Sequence, residues 1–152
     1  MAAIRHSDGY TDQLYGIAPR SITRETLDEI ITKCLKPIAD KVVKDGGDYQ
    51  ISRCDTIIGW NIRTIDEPFY HLISVRIRKS DECGTTTYLI DADVNNPPNV
   101  CMRIITDEHD KVLSIRIYPT PTNDIITKDL IRSINNDIIN HITNGHPTII
   151  PK

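Results

Sequence analysis

A chain of 152 residues, 39% hydrophobic and 26% charged, is long enough for one domain with a real core and too mixed in composition for global disorder. Its net charge of −3 argues against a dedicated nucleic-acid-binding domain, which is usually basic overall, while leaving room for a local basic patch. No apolar run approaches the ~20 residues of a membrane helix.

The opening residues, 1–12, are polar and mixed, unlike a secretory signal. The cysteines, Cys34, Cys54, Cys83 and Cys101, are well separated and form no C-x-x-C pair of the kind that builds a zinc site. The expectation is a soluble, cytoplasmic protein with free thiols and no cofactor or metal. The excess of Ile over Leu, with many Asn, Asp and Thr, fits an AT-rich coding sequence such as that of a virus, a phage or an AT-rich microbe.

Residues 1–20 read as an irregular arm, broken by Gly9, Gly16 and Pro19. Residues 21–145 read as one domain, and 146–152 as a tail. The first helix opens at Thr23 as N-cap, with Ile22 and Leu27 in the positions of a hydrophobic staple. Leu27, Ile31, Leu35, Ile38 and Val42 form its apolar stripe. Pro37 should kink or split it near Lys36, and Gly46 and Gly47 should end it.

Strand patterns follow. The first lies within residues 49–64, interrupted around Gly59, with Arg53, Asp55, Asn61 and Arg63 on its polar side. The others cover residues 69–78, 85–91, 100–106 and 112–118, the last two as a hairpin across residues 107–110. A second helix opens at Thr127 as N-cap, with Ile126 and Ile131 as its staple. Leu130, Ile134, Ile138 and Ile142 continue its stripe as far as Gly145. The predicted fold is α+β: a two-layer domain with a five-stranded, mostly antiparallel meander and the N-terminal and C-terminal helices on one face.

That leaves the other sheet face. Strand phasing puts Arg63, Arg76, Arg78, Arg103 and Arg116 on it, with Tyr88 and Tyr118 beside them. Guanidinium groups take phosphate and carboxylate in bidentate fashion and stack on aromatics. Such a face would suit a nucleotide or single-stranded nucleic acid. It would equally suit a protein partner or a second copy, because Arg and Tyr are enriched at interface hot spots. The plain alternative is a solvated face whose long Arg stems cover the sheet and pair with cross-strand acids such as Asp55 and Asp91.

Catalytic signals are few. Asp91-Ala92-Asp93-Val94-Asn95 begins like a calcium loop. It then fails, with Asn96 where Gly is required, Pro97 and Pro98 intruding, and Met102 at the twelfth position. His141-Ile142-Thr143 resembles half of the paired signature of the two-histidine phosphoesterases. The second copy is missing, since His71 and Ser74 are one residue too far apart. His71 on an otherwise apolar strand reads as a hydrogen-bonded core residue, and His141 as a helix C-terminal one. No Walker loop, nucleophile elbow or dinucleotide fingerprint occurs.

The leading expectation is therefore a small non-enzymatic binding module acting through protein–protein contact, in the manner of a viral or phage accessory protein. Nucleotide or single-strand binding on the arginine face comes second, and a hydrolase using His71 or His141 third.

Overall fold

The computed structural model describes residues 2–4, 13–15, 21–64, 72–94, 99–119 and 125–143. Helix α1 (Arg24–Lys44) follows the sequence closely. Thr23 Oγ1 accepts from the Thr26 N–H at 3.2 Å, and both staple residues, Ile22 and Leu27, are buried. At the other end, Gly47 N–H bonds to Val42 O at 2.8 Å and Gly46 N–H to Val43 O at 3.0 Å. This reciprocal pair is the Schellman arrangement. It needs the left-handed backbone of Gly46, φ 99°. A Cβ on Gly47 would collide with the carbonyl of Arg63, so the chain can turn into the sheet here only without a side chain. Pro37 does not split the helix, which runs continuously across it.

Two three-residue strands, β1 (Ala2–Ile4) and β2 (Gln13–Tyr15), lie in the arm expected to be irregular. Between the helices the structure forms six strands: β3 (Asp48–Arg53), β4 (Ile57–Arg63), β5 (Leu72–Glu82), β6 (Thr85–Val94), β7 (Asn99–Thr106) and β8 (Val112–Ile117). All pairings are antiparallel, in the order β1-β2-β8-β7-β6-β5-β4-β3.

The expected five-strand meander is thus one strand short. Residues 49–64 are two strands, and the break falls at residues 54–56, not at Gly59. There Cys54 N–H bonds to Ile57 O at 2.9 Å, and the Arg24 guanidinium donates to the carbonyls of Cys54 and, at 2.8 Å, Asp55. The turn reverses the side-chain phase, so Arg53 faces α1, where its guanidinium forks onto Asp28 at 2.7 and 3.1 Å. The loop expected at residues 80–84 shrinks to Cys83 and Gly84. Both have positive φ, 48° and 84°, as a two-residue type I′ hairpin requires. β6 also runs three residues beyond its expected end at Asp91.

Helix α2 (Ile125–Ile142) begins before Thr127, so the residue expected as its N-cap lies within it. Both helices pack on the same sheet face and on each other, α1 over β3, β4 and β5, and α2 over β6 and β7. The core lies between the layers, built from Ile31 and Leu35, Trp60, Val75, Ile90 and Ile134 among others. Trp60 is fully buried, and its indole N–H donates to Thr32 Oγ1 at 3.1 Å, so the largest core side chain carries its polar atom to a partner.

Candidate functional site

The register settles which face each arginine occupies. The helix-covered face takes Ile58, Trp60, Ile62, Val75, Ile77 and their neighbours. Strict alternation then sends Arg63, Arg76, Arg78, Arg103 and Arg116 to the open face, as the strand phasing predicts. No described helix packs on that face. Arg78, Leu89, Arg103 and Arg116 stand in one row across β5, β6, β7 and β8, with Gln13 of β2 next in register. The adjacent row holds Gly59, Arg76 and Asp91. Ile57, opposite Arg78, is 41% exposed, and Leu89 and Ile105 are half-buried on the same face.

Asp91 is the acid at the centre of this surface. Its side chain is only 1% exposed, against 40% for each of the two arginines that cover it. Arg76 Nη2 donates to Oδ2 at 3.1 Å and Arg78 Nη2 to Oδ1 at 3.2 Å. Arg78 Nε lies 2.9 Å from Oδ2 but is not aligned as a hydrogen bond. Two cations therefore share one carboxylate. Arg76 also lays its stem along Gly59, whose missing side chain leaves the room.

A bulge lies beside Asp91. Ile90 opposes Met102 and Asp91 opposes Val100, which leaves Cys101 as the extra residue. Its thiol donates to Ile90 O at 3.2 Å, and its carbonyl accepts from Tyr118 N–H at 3.2 Å and from Asn135 Nδ2 at 3.5 Å. Burial first, and then the nearby Asp91 charge, push the thiol up to about 12.

Arg103 differs from Arg76 and Arg78. Like theirs, its Nε is buried with no hydrogen-bond partner, but among the described residues its guanidinium has no ion-pair partner. Its neighbour in the row is another cation, Arg116. Arg63 is exposed, with Asp48 opposite it in register.

Tyr88 does not join the arginines as expected. Tyr88 is 2% exposed and turned to the helix side, level with Ile104 across the ladder. There it lines a polar cleft with Arg24, Glu25, Asp55, Lys79 and Asp110, and burial raises its hydroxyl above the ordinary tyrosine range. Tyr118, just beyond β8, borders a cleft with Lys128, Arg132 and Asn135 of α2.

Of the remaining candidates, Asp91 is committed to its arginines and not to a calcium loop. His141 lies in the last turn of α2, and His71 falls outside the described residues. Among the described residues no cluster of acids, His and Cys could hold a metal ion, and no helix is long and apolar enough to cross a membrane. Sequence reasoning passed over the Arg53–Asp28 fork and the Cys101 bulge. The first had a signal in the polar run 52–56, which lacks the apolar alternation of a continuous strand. Comparison of the chain with protein-family models, with curated proteins and with solved structures returns no match.

Proposed function

We propose that the protein is a binding module that docks an acidic protein surface on the open face of its sheet. The observation that carries this reading is Arg103. Its guanidinium has no internal acid among the described residues, and it stands directly opposite Arg116. Asp91 is already shared between Arg76 and Arg78, which leaves the Arg103 guanidinium available to a carboxylate from a partner.

A protein is favoured over a nucleotide or a single strand by what surrounds the charge. Ile57, Leu89 and Ile105 offer aliphatic surface on the same face. Tyr88, which a stacking platform would use, is turned toward the helices. Apolar contact around a few charged anchors is the anatomy of a protein interface, whereas single-strand binding leans on aromatic stacking.

The test is an amide-resolved NMR titration with a Glu- and Leu-rich peptide, an oligothymidylate and a set of nucleotides, at low and moderate salt. The expected result is peptide-induced shifts along β5 to β8 that weaken with salt, and affinity at least about tenfold lower in Arg103→Glu. Shifts with the oligothymidylate or a nucleotide alone, or equal peptide binding by Arg103→Glu, would overturn it.

A further inference from the structure

We infer that two copies of the chain pair through β3, antiparallel and about a two-fold axis at Ile51, so that the sheet runs on from one protomer into the other. This inference is independent of the docking reading, which concerns the opposite surface of the strands.

β3 is one end of the sheet order, and its outer side has no partner among the described residues. Exposed edges are normally blunted by shortness, proline, lysine or a bulge. The other end of the sheet, β1, is three residues long and so is protected by shortness. β3 has none of these devices, and its one inward-pointing charge, Arg53, is already neutralised by Asp28. It runs six residues, Asp-Tyr-Gln-Ile-Ser-Arg, in unbroken register with β4.

The hydrogen bonding shows which of its groups face outward. Cys54 N–H bonds to Ile57 O, which makes residues 54 and 57 a hydrogen-bonded pair. Such pairs alternate along an antiparallel ladder. Ser52, Gln50 and Asp48 are therefore bonded to β4, while the N–H and C=O groups of Tyr49, Ile51 and Arg53 point away from it. The Lys79 N–H to Thr56 O bond of 2.8 Å fixes the complementary phase on the far side of β4.

A two-fold axis perpendicular to the sheet brings together residues that point to the same face, so the paired numbers must have the same parity. With Ile51 on the axis, Ile51 opposes Ile51 of the second copy, and Tyr49 opposes Arg53. Every outward-facing backbone group of β3 then finds a partner. On the helix side the Tyr49 ring meets the other protomer's Arg53 guanidinium, a favourable aromatic–cation pair. On the open side Gln50 meets Ser52. No like charges face each other. Tyr49 and Ile51 are only partly buried within one chain while packed against its core, and the pairing would extend that core across the axis. On α1, Val43 lies about three turns beyond Thr32 and is 53% exposed.

The experiment is sedimentation velocity over a concentration series on the full chain, its Ile51→Pro variant and Arg103→Glu. The wild type and Arg103→Glu are expected to approach twice the 17.2 kDa chain mass. Ile51→Pro, which removes the outward N–H on the axis and no bond to β4, is expected to stay monomeric with an unchanged circular-dichroism spectrum. A second variant guards against misfolding: Ile51→Cys in a background where exposed Cys54 and Cys83 are Ser. Opposed hydrogen-bonded residues lie about 5.5 Å apart at Cα, within disulfide reach. Mild oxidation should therefore link this variant into a dimer, while Ser80→Cys in the same background should stay unlinked. A wild type that is monomeric throughout, or a folded Ile51→Pro that still dimerises, overturns the inference. So does an Ile51→Cys that links no more than Ser80→Cys.

Discussion

Asp91 faces Arg76 directly across the β5–β6 ladder, and its Oδ2 lies 3.1 Å from Arg76 Nη2. The acid is buried and the base is not, so the two partners are unequal. Removing Asp91 leaves guanidinium groups that can turn to water. Removing either arginine leaves the carboxylate one remaining partner. Arg76→Ala is expected to cost roughly 1–3 kcal/mol in urea unfolding, and Asp91→Asn less than that. An Arg76→Ala protein as stable as wild type would mean that the pairing contributes nothing net.

The Trp60–Thr32 bond separates packing from polarity. Trp60→Phe keeps most of the buried ring but leaves Thr32 without the indole donor, and should lose about 1 kcal/mol beyond any packing change. Thr32→Val in the Trp60→Phe background should then cost only what its separate bond to Asp28 Oδ1, at 3.1 Å, contributes. A double-mutant cycle checks this, with the coupling between the two positions as its readout.

Cys101 sets an alkaline limit. Burial pushes its thiol up to about 12 in the fold from an ordinary value of 9.0, which favours the neutral form. The stability this contributes is complete below the unfolded pKa and is lost as pH rises from there toward 12. Above pH ~9 the loss is on the order of 1 kcal/mol per pH unit. Urea unfolding from pH 7 to 11 should show a steeper decline for wild type than for Cys101→Val. Ellman's reagent should meet the exposed Cys54 and Cys83 first and Cys101 last.

Asp107 sets an acid one, local to the β7–β8 turn. Its Oδ1 accepts from His109 N–H at 2.8 Å and Lys111 N–H at 3.0 Å, and these bonds hold its carboxyl below the ordinary Asp range. A depressed folded pKa gives support that is present above the unfolded value and lost as pH falls through the folded one. The amide signals of His109 and Lys111 should therefore shift with an Asp107 titration below the ordinary carboxylate range. In Asp107→Ala that titration should be missing.

Gly46 tests the end of α1. At φ 99° a side chain is strained, so Gly46→Ala should destabilise by about 1 kcal/mol in thermal or urea unfolding.

The parts of this architecture that were legible in the sequence are those where local chemistry and tertiary packing agree. Thr23, Ile22 and Leu27 announce the start of α1 because cap and staple are short-range devices. The arginines declare their common face because Arg76, Arg103 and Arg116 each sit between two apolar neighbours, and Arg63 and Arg78 each follow one. Tyr88 was misplaced because Tyr88, Leu89 and Ile90 are apolar in succession and leave the phase open. Asp91 was the residue that could have fixed it, since a strand acid in step with Leu89 puts Tyr88 on the other side. The β3–β4 turn was hidden because Cys54, Asp55 and Thr56 include neither Gly nor Pro, and its anchor, Arg24, lies in a distant segment. The Arg76–Asp91–Arg78 cluster needed register, which alternation alone does not supply.

From β3 to β8, every strand pairs with the one that follows it in the chain. Such a ladder can zip from successive hairpins with short loops to close, which favours rapid assembly. Helix α2, like the β2–β8 pairing, departs from this pattern. It reaches back to α1, where Ser133 Oγ lies 3.2 Å from Cys34 Sγ across 99 residues of sequence. During synthesis the sheet and α1 are therefore finished while the apolar surface over β6 and β7 still waits for its cover. The interval before α2 leaves the ribosome is when this chain is most exposed to aggregation and to chaperones.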